Sequence, residues 1–148
     1  MQKIDEDYIK ENFGTIWPTH VETLTWFLIE CRKHFGGDLD RFLVLCVIGD
    51  RTLSRGKAPP DLKYEEMMDE SWVPNQPEAL NARSIADFSG IPRETVRRKV
   101  LELIDLGWVE RNENDLLRAT RKAAVDLAPL TEASFEYLAR MARTLSSS

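Results

Sequence analysis

The chain has 148 residues, a formal net charge of −5 at pH 7, 43% hydrophobic and 30% charged residues. That length suits one good core or a small domain with helical extensions, and that composition excludes a disordered chain. The longest apolar run, residues 42–48, is far short of the roughly 18 residues a membrane span needs, and the acidic start "MQKIDEDYIK" lacks the basic and apolar regions of a signal peptide, so a cytoplasmic protein with no membrane partner is expected.

Charge becomes informative once it is divided along the chain. Residues 1–80 carry 9 Lys/Arg against 15 Asp/Glu, residues 81–122 carry 9 against 7, and residues 123–148 carry 2 against 3. The basic stretch is therefore local. Because salt screens charges over about 8 Å, a basic contact face can act on a polyanion even when the rest of the protein is acidic.

In chain order, "DEDYIKENF" predicts a short helix ending near Gly14, broken by "WPTH" at 17–20. Thr19 is then expected to cap a helix running to about Phe35, with Leu24, Phe27, Leu28 and Cys31 on one face, stopped by Gly36 and Gly37. Asp38 can cap the next helix, whose segment 42–48 is apolar on every side and so belongs at the centre of the fold or at an interface. Cys31 and Cys46 both fall in apolar helical settings; they read as two buried free thiols, with neither a disulfide framework nor metal-ligand spacing.

Residues 51–80 predict an irregular connection with at most a short helix near 62–68. Through Arg51, Arg55 and Lys57 this loop can approach a polyanion; it can equally cover an interface.

From Asn81 the pattern tightens. Asn81 can cap a helix over Ala82–Ser89, with Ile85, Ala86 and Phe88 as core candidates; Gly90 allows a sharp turn, and Pro92 suits the start of a second helix. On that second helix Val96, Val100, Leu103 and Ile104 fall within one arc of about 100° while Glu94, Arg98, Glu102 and Asp105 fall opposite. After Gly107, extended runs at 108–111 and 116–120 flank a turn at 112–115. Thr120 can cap a last helical region, interrupted at Pro129 and resuming to about Leu145, before a frayed Ser146 to Ser148 tail. Its stripe of Leu130, Phe135, Leu138, Met141, Ala142 and Leu145 suits either the protein's own core or a dimer seam with the N-terminal helices.

The order helix, tight turn, helix, hairpin predicts a mainly α protein with a small β-hairpin wing: a winged helix-turn-helix with N- and C-terminal helical extensions. The expected divisions are N-terminal helices over 1–50, an irregular connection over 51–80, the DNA-binding domain over 81–120 and a C-terminal helical region over 121–148. In a helix-turn-helix, a fixed turn holds the second helix so that its N-terminal residues reach base edges in the major groove. Arg offers two parallel donors to guanine and Glu accepts from the cytosine amino group, so Arg93, Glu94 and Arg98 are the candidate base readers. Thr95, Arg97 and Lys99 are candidate phosphate contacts at the groove's edges.

The stretch "NARSIADFSGIPRETVRRKVLELIDLGWV", residues 81–109, resembles the winged helix-turn-helix of bacterial transcription regulators, and "RETVRR" is similar to the recognition helix of the cyclic-AMP receptor and FNR family. In that family an Arg-Glu-x-x-x-Arg arrangement reads G, C and G, which by resemblance falls on Arg93, Glu94 and Arg98. The resemblance also implies phosphate contacts from Thr95 and from Arg83 and Ser84 on the preceding helix. Ser89 and Lys99 depart from it, standing where apolar residues are usual. Nothing in residues 1–80 looks like a cyclic-nucleotide β-roll, and no cofactor is expected. The arrangement of helices before and after the winged domain resembles instead the MarR family, in which such helices make the dimer.

At the hairpin, Arg111 and Arg118 are further candidate phosphate contacts, although Glu113 and Asp115 at its tip would be repelled by phosphate. Glu94 and Arg98, at i,i+4 spacing, can also simply pair along the helix. His20 and His34 stand alone as helix-end residues, with no acidic partners at ligand spacing; no nucleophile motif and no glycine-rich phosphate loop occurs, so no enzyme and no metal site is expected. Trp17, Trp26, Phe27, Phe35 and Trp72 are candidates to line a small-molecule effector pocket or, more simply, to pack in a core.

The expectation is thus a homodimeric transcriptional regulator that binds double-stranded DNA at an inverted repeat. Two other classes stay open: a winged protein-interaction module whose partner surface includes Glu65, Glu66, Asp69 and Glu70, and a nonspecific architectural DNA binder.

Overall fold

In the computed structural model, residues 2–53, 58–74 and 80–147 are described. They form a mainly helical protein with one small two-stranded antiparallel sheet. No helix among them is long and apolar enough to cross a membrane. The chain packs as two compact units, one made of the segments up to Gly37 and from Ala128 onward, the other of Asp38–Leu127.

The first unit contains α1 (Glu6–Glu11), α2 (Phe13–His34) and α8 (Ala128–Ser147). Asp5 caps α1 by accepting from the Tyr8 N–H at 3.1 Å, and the buried Tyr8 donates its hydroxyl to the Leu145 carbonyl at 2.8 Å, fastening α1 to α8. The expected break at Pro18 does not occur: α2 continues through it. Pro18 removes only the bond that would run to the Gly14 carbonyl, close to an end where several N–H groups lack helical partners anyway, and the packing of α2 on α8 holds the helix on both sides of it. His20 accordingly lies within α2 rather than at its end, where its Nδ1 meets the Tyr137 hydroxyl at 3.2 Å. Gly36 and Gly37 end the helix as expected, both in the left-handed region with φ of 62° and 87°. Leu127 separates α8 from the preceding helix, and Pro129 sits in the first turn of α8, where proline is tolerated. Ser146 and Ser147 are helical rather than frayed; Ser148 lies outside the described residues.

The second unit contains α3 (Leu39–Thr52), α4 (Tyr64–Met67), α5 (Ala82–Ser89), α6 (Arg93–Asp105), β1 (Val109–Arg111), β2 (Leu117–Ala119) and α7 (Arg121–Asp126). Its caps are those the sequence suggests: Asp38 for α3, Asn81 for α5 and Thr120 for α7 each accept a backbone N–H with the side chain. The core is built from Val44, Leu45 and Ile48 of α3, Ile85 of α5, and Val96, Val100 and Leu103 of α6, joined by Trp108, Val109 and Leu117 of the hairpin. Packing of α3 on α5, α6 and β2 places it in this unit, so the division of the chain falls at Gly37 and not near residue 50.

The strands pair Val109 with Ala119 and Arg111 with Leu117. The Asn112 side chain accepts from the Asn114 and Leu116 N–H groups and holds the turn, in which Asp115 takes φ 62°. Thr52 Oγ1 accepts from the Ala119 N–H at 3.1 Å, and Trp108 Nε1 donates to Asp126 at 2.9 Å, so the hairpin is tied to α3 and α7. In the connection, Arg121 donates to the Met68 carbonyl and, at 2.8 Å, to the Asp69 carbonyl, anchoring the end of α4.

Three burial expectations are corrected. Cys31 is buried, which pushes its thiol up to about 11, but Cys46 is exposed because it lies on the side of α3 away from Val44, Leu45 and Ile48. Phe88 is 65% exposed: α5 is short enough that Ile85 alone fills its buried face. Glu102 turns toward α3, 3.6 Å from Arg41, and does not join the outward face of α6.

Candidate nucleic-acid interface

The turn between α5 and α6 is built from three residues. Gly90 closes α5 in the left-handed conformation, φ 76°, with its N–H on the Ala86 carbonyl at 2.9 Å. The Ile91 N–H donates to Ser89 Oγ at 3.1 Å, which gives that serine a turn-holding role in place of an apolar contact. Pro92 precedes α6, and its carbonyl accepts the first helical bond from the Val96 N–H at 3.0 Å.

This turn and the burial of Val96, Val100 and Leu103 fix which side of α6 faces outward. Glu94 and Arg98 are exposed there with Arg97 exposed on the flank, and Arg93 is exposed as the first residue of the helix, all within the first two turns. Glu94 is bound by Arg97 rather than by Arg98: Nη2 donates to Oε1 at 2.6 Å and Nε donates to Oε2 at 3.1 Å. The hydrogen bonds and charge of Arg97, helped by the charge of Arg98, hold the Glu94 carboxyl below the usual carboxylate range. Arg93 and Arg98 make no ion pair among the described residues and present two unneutralised guanidinium groups beside this pair.

Lys99 is placed elsewhere. Its side chain is only 12% exposed and its ammonium contacts Asp38 at 2.6 Å and Glu102 at 3.5 Å, so it braces α6 against the start of α3 and does not stand on the outward face as a phosphate contact. Asp38 also meets Arg41 at 3.6 Å. Burial alone would raise the Asp38 carboxyl, but the hydrogen bonds from Lys99 and the Arg41 N–H, with the charges of both residues, outweigh it and hold it below its ordinary value.

The remaining candidates divide. Thr95 is half-buried on the flank of α6, while Arg83 and Ser84 are exposed on α5, where Ser84 donates through N–H and hydroxyl to Asn81 Oδ1. On the hairpin, Arg111 is paired with Asp115 at 2.9 Å, and Arg118 donates to Glu110 at 2.7 Å, so these two cations are neutralised by the hairpin's own acids. Arg51, which the sequence offers as a cation able to approach a polyanion, lies in the last turn of α3 and stacks its guanidinium 5.4 Å from the Phe88 ring, next to the turn. Arg55 and Lys57 lie outside the described residues.

The aromatic candidates are divided between the two units. Trp17, His20, Tyr137 and Phe27 form a chain of ring contacts with Phe13 in the first unit, Phe35 is buried, and Trp72 belongs to the second unit. Among the described residues no group of three His, Cys, Asp or Glu side chains is placed to hold a metal ion. Comparison of the chain with protein-family models, curated proteins and solved structures finds no match.

Proposed function

We propose that the protein is a sequence-specific double-stranded-DNA-binding transcriptional regulator in which α5, α6 and the β1–β2 hairpin act as a winged helix-turn-helix and two copies read an inverted repeat. The α6 surface carries this assignment: one side of the helix is locked into a core, Glu94 and Arg98 face away from it with Arg97 on their flank, and Arg93 is exposed at the helix start beside the turn. A helix held this way can enter a major groove with its first turns against base edges. Arg93 and Arg98 then donate to guanine and Glu94 accepts from cytosine, while Arg83, Ser84 and Thr95 meet the backbone and fix the register. With Lys99, Arg111 and Arg118 already paired in the free protein, fewer cations are left for phosphate than the sequence suggests, which predicts a moderate salt slope.

The first unit supports the dimer. Phe13, Trp17, Val21 and Leu28 are 41–51% exposed and fall on one side of α2, and Leu138 on α8 is 59% exposed. A unit this small buries few side chains, and an apolar stripe of this extent suits a second copy of the same surface.

Selection of binding sites from a random duplex pool by the purified protein at near-physiological salt tests the proposal. A recovered palindrome with G and C positions in each half-site supports it. A pool without enrichment sinks it and favours an interaction module, or, if binding is tight but indifferent to sequence, an architectural binder.

A further inference from the structure

Arg97 stands one position before Arg98 and projects between the inner and outer faces of α6, where a cation would ordinarily serve only as a phosphate contact. Its geometry is more specific than that. The guanidinium presents Nε and Nη2 as a fork to both oxygens of Glu94, at 3.1 and 2.6 Å, and leaves Nη1 unengaged among the described residues. Both residues are exposed, 56% for the Arg97 side chain and 74% for that of Glu94, so no packing holds the glutamate in place and the fork alone fixes its carboxylate.

We infer that Arg97 is a positioning residue for base recognition, orienting the Glu94 carboxylate with one edge of its guanidinium while the other edge meets a DNA phosphate. This deepens the proposed function and rests on it. A free glutamate side chain has three rotatable bonds, and ordering it at the moment of binding is unfavourable; a carboxylate entering the groove is also repelled by the flanking phosphates. The fork removes both difficulties. It holds the side chain before DNA arrives and neutralises it, while each carboxylate oxygen keeps a lone pair for an amino donor on the base. A lysine at 97 would supply the charge but not the two parallel donors.

The test compares three full-length proteins on duplexes carrying single-base changes, at several salt concentrations. Glu94→Ala identifies the base position that Glu94 reads. Arg97→Lys is then expected to lose about tenfold of the preference at that same position, with preference at the positions read by Arg93 and Arg98 intact and the salt slope unchanged. A purely electrostatic role would leave the base preference untouched, so full retention of preference in Arg97→Lys overturns the inference while the DNA-binding reading stands. If the wild-type protein prefers no sequence, the DNA-binding reading itself fails and takes the inference with it. Thermal unfolding of each variant confirms that the exposed substitutions leave the fold intact.

Discussion

Lys99 and Asp38, 61 positions apart, meet at 2.6 Å, so the carboxylate that caps α3 also anchors the middle of α6. Replacing Lys99 with Met leaves a mostly buried carboxylate short of its strongest partner, and a loss of about 2 kcal/mol in urea unfolding is expected. The charge-exchanged double variant Asp38→Lys with Lys99→Asp should recover only part of it, because a lysine at 38 cannot cap α3.

The same pair sets an acid limit on stability. The Asp38 pKa is depressed on folding, so its contribution is fully present above the unfolded value of about 3.9 and is lost as pH falls toward and through the lower folded value. Asp38→Asn, less stable at neutral pH, should therefore lose less further stability than the wild type between about pH 5 and pH 3, as read from urea midpoints across that range.

For DNA, Arg98→Ala is expected to lower specific affinity by about 1 to 3 kcal/mol and to relax preference at one base position of each half-site. Anisotropy titrations with matched and single-mismatch duplexes check this; equal affinity for both in wild type and variant would remove Arg98 from the readout.

Charge placed in the apolar stripe should split the proposed dimer. Val21→Glu combined with Leu138→Glu is expected to shift the mass measured by light scattering from twice 17.1 kDa to that of one chain, without change in helix content. Binding to a full inverted repeat should weaken far more than binding to a half-site. A wild-type protein that already runs as a monomer at micromolar concentration would contradict the dimer.

The turn that aims α6 depends on backbone freedom at one residue. A Cβ at Gly90 would meet nothing within 4 Å, so Gly90→Ala is expected to cost only the left-handed backbone term, about 1 kcal/mol in unfolding free energy, with Gly90→Asn costing less. A much larger loss would mean that the turn itself had moved.

What the sequence disclosed was local. Asp38, Asn81 and Thr120 announce helix starts because each cap acts within three residues, and Gly90-Ile91-Pro92 announces the turn for the same reason. The outward placement of Glu94 and Arg98 followed from the period of Val96, Val100 and Leu103, whereas Arg93 shares their angular face and is exposed as the first residue of the helix. Lys99 was misplaced because its partner lies far away in the chain and no periodicity encodes it. Phe88 looked like core because an aromatic residue three after Ile85 fits a helical stripe; the shortness of α5 leaves it exposed, with Arg51 over one face of its ring. Pro18 looked like a boundary because the tertiary support of α2 by α8 cannot be seen from residues 13–34 alone.

The pairing of α2 with α8 also has a temporal side. Tyr8 bonds to a carbonyl 137 residues later, and Thr23 contacts Met141, so α2 leaves the ribosome long before its partner exists. The intervening segment Asp38–Leu127 has its own core and can finish first, since domains generally fold as units during synthesis. Throughout that interval the Trp17 and Val21 surface and the seam meant for α8 are bare together, and closing so long a loop is slow. The nascent chain is thus at its most aggregation-prone between the emergence of α2 and that of α8, and a stop before Ala128 leaves α2 without its neighbour.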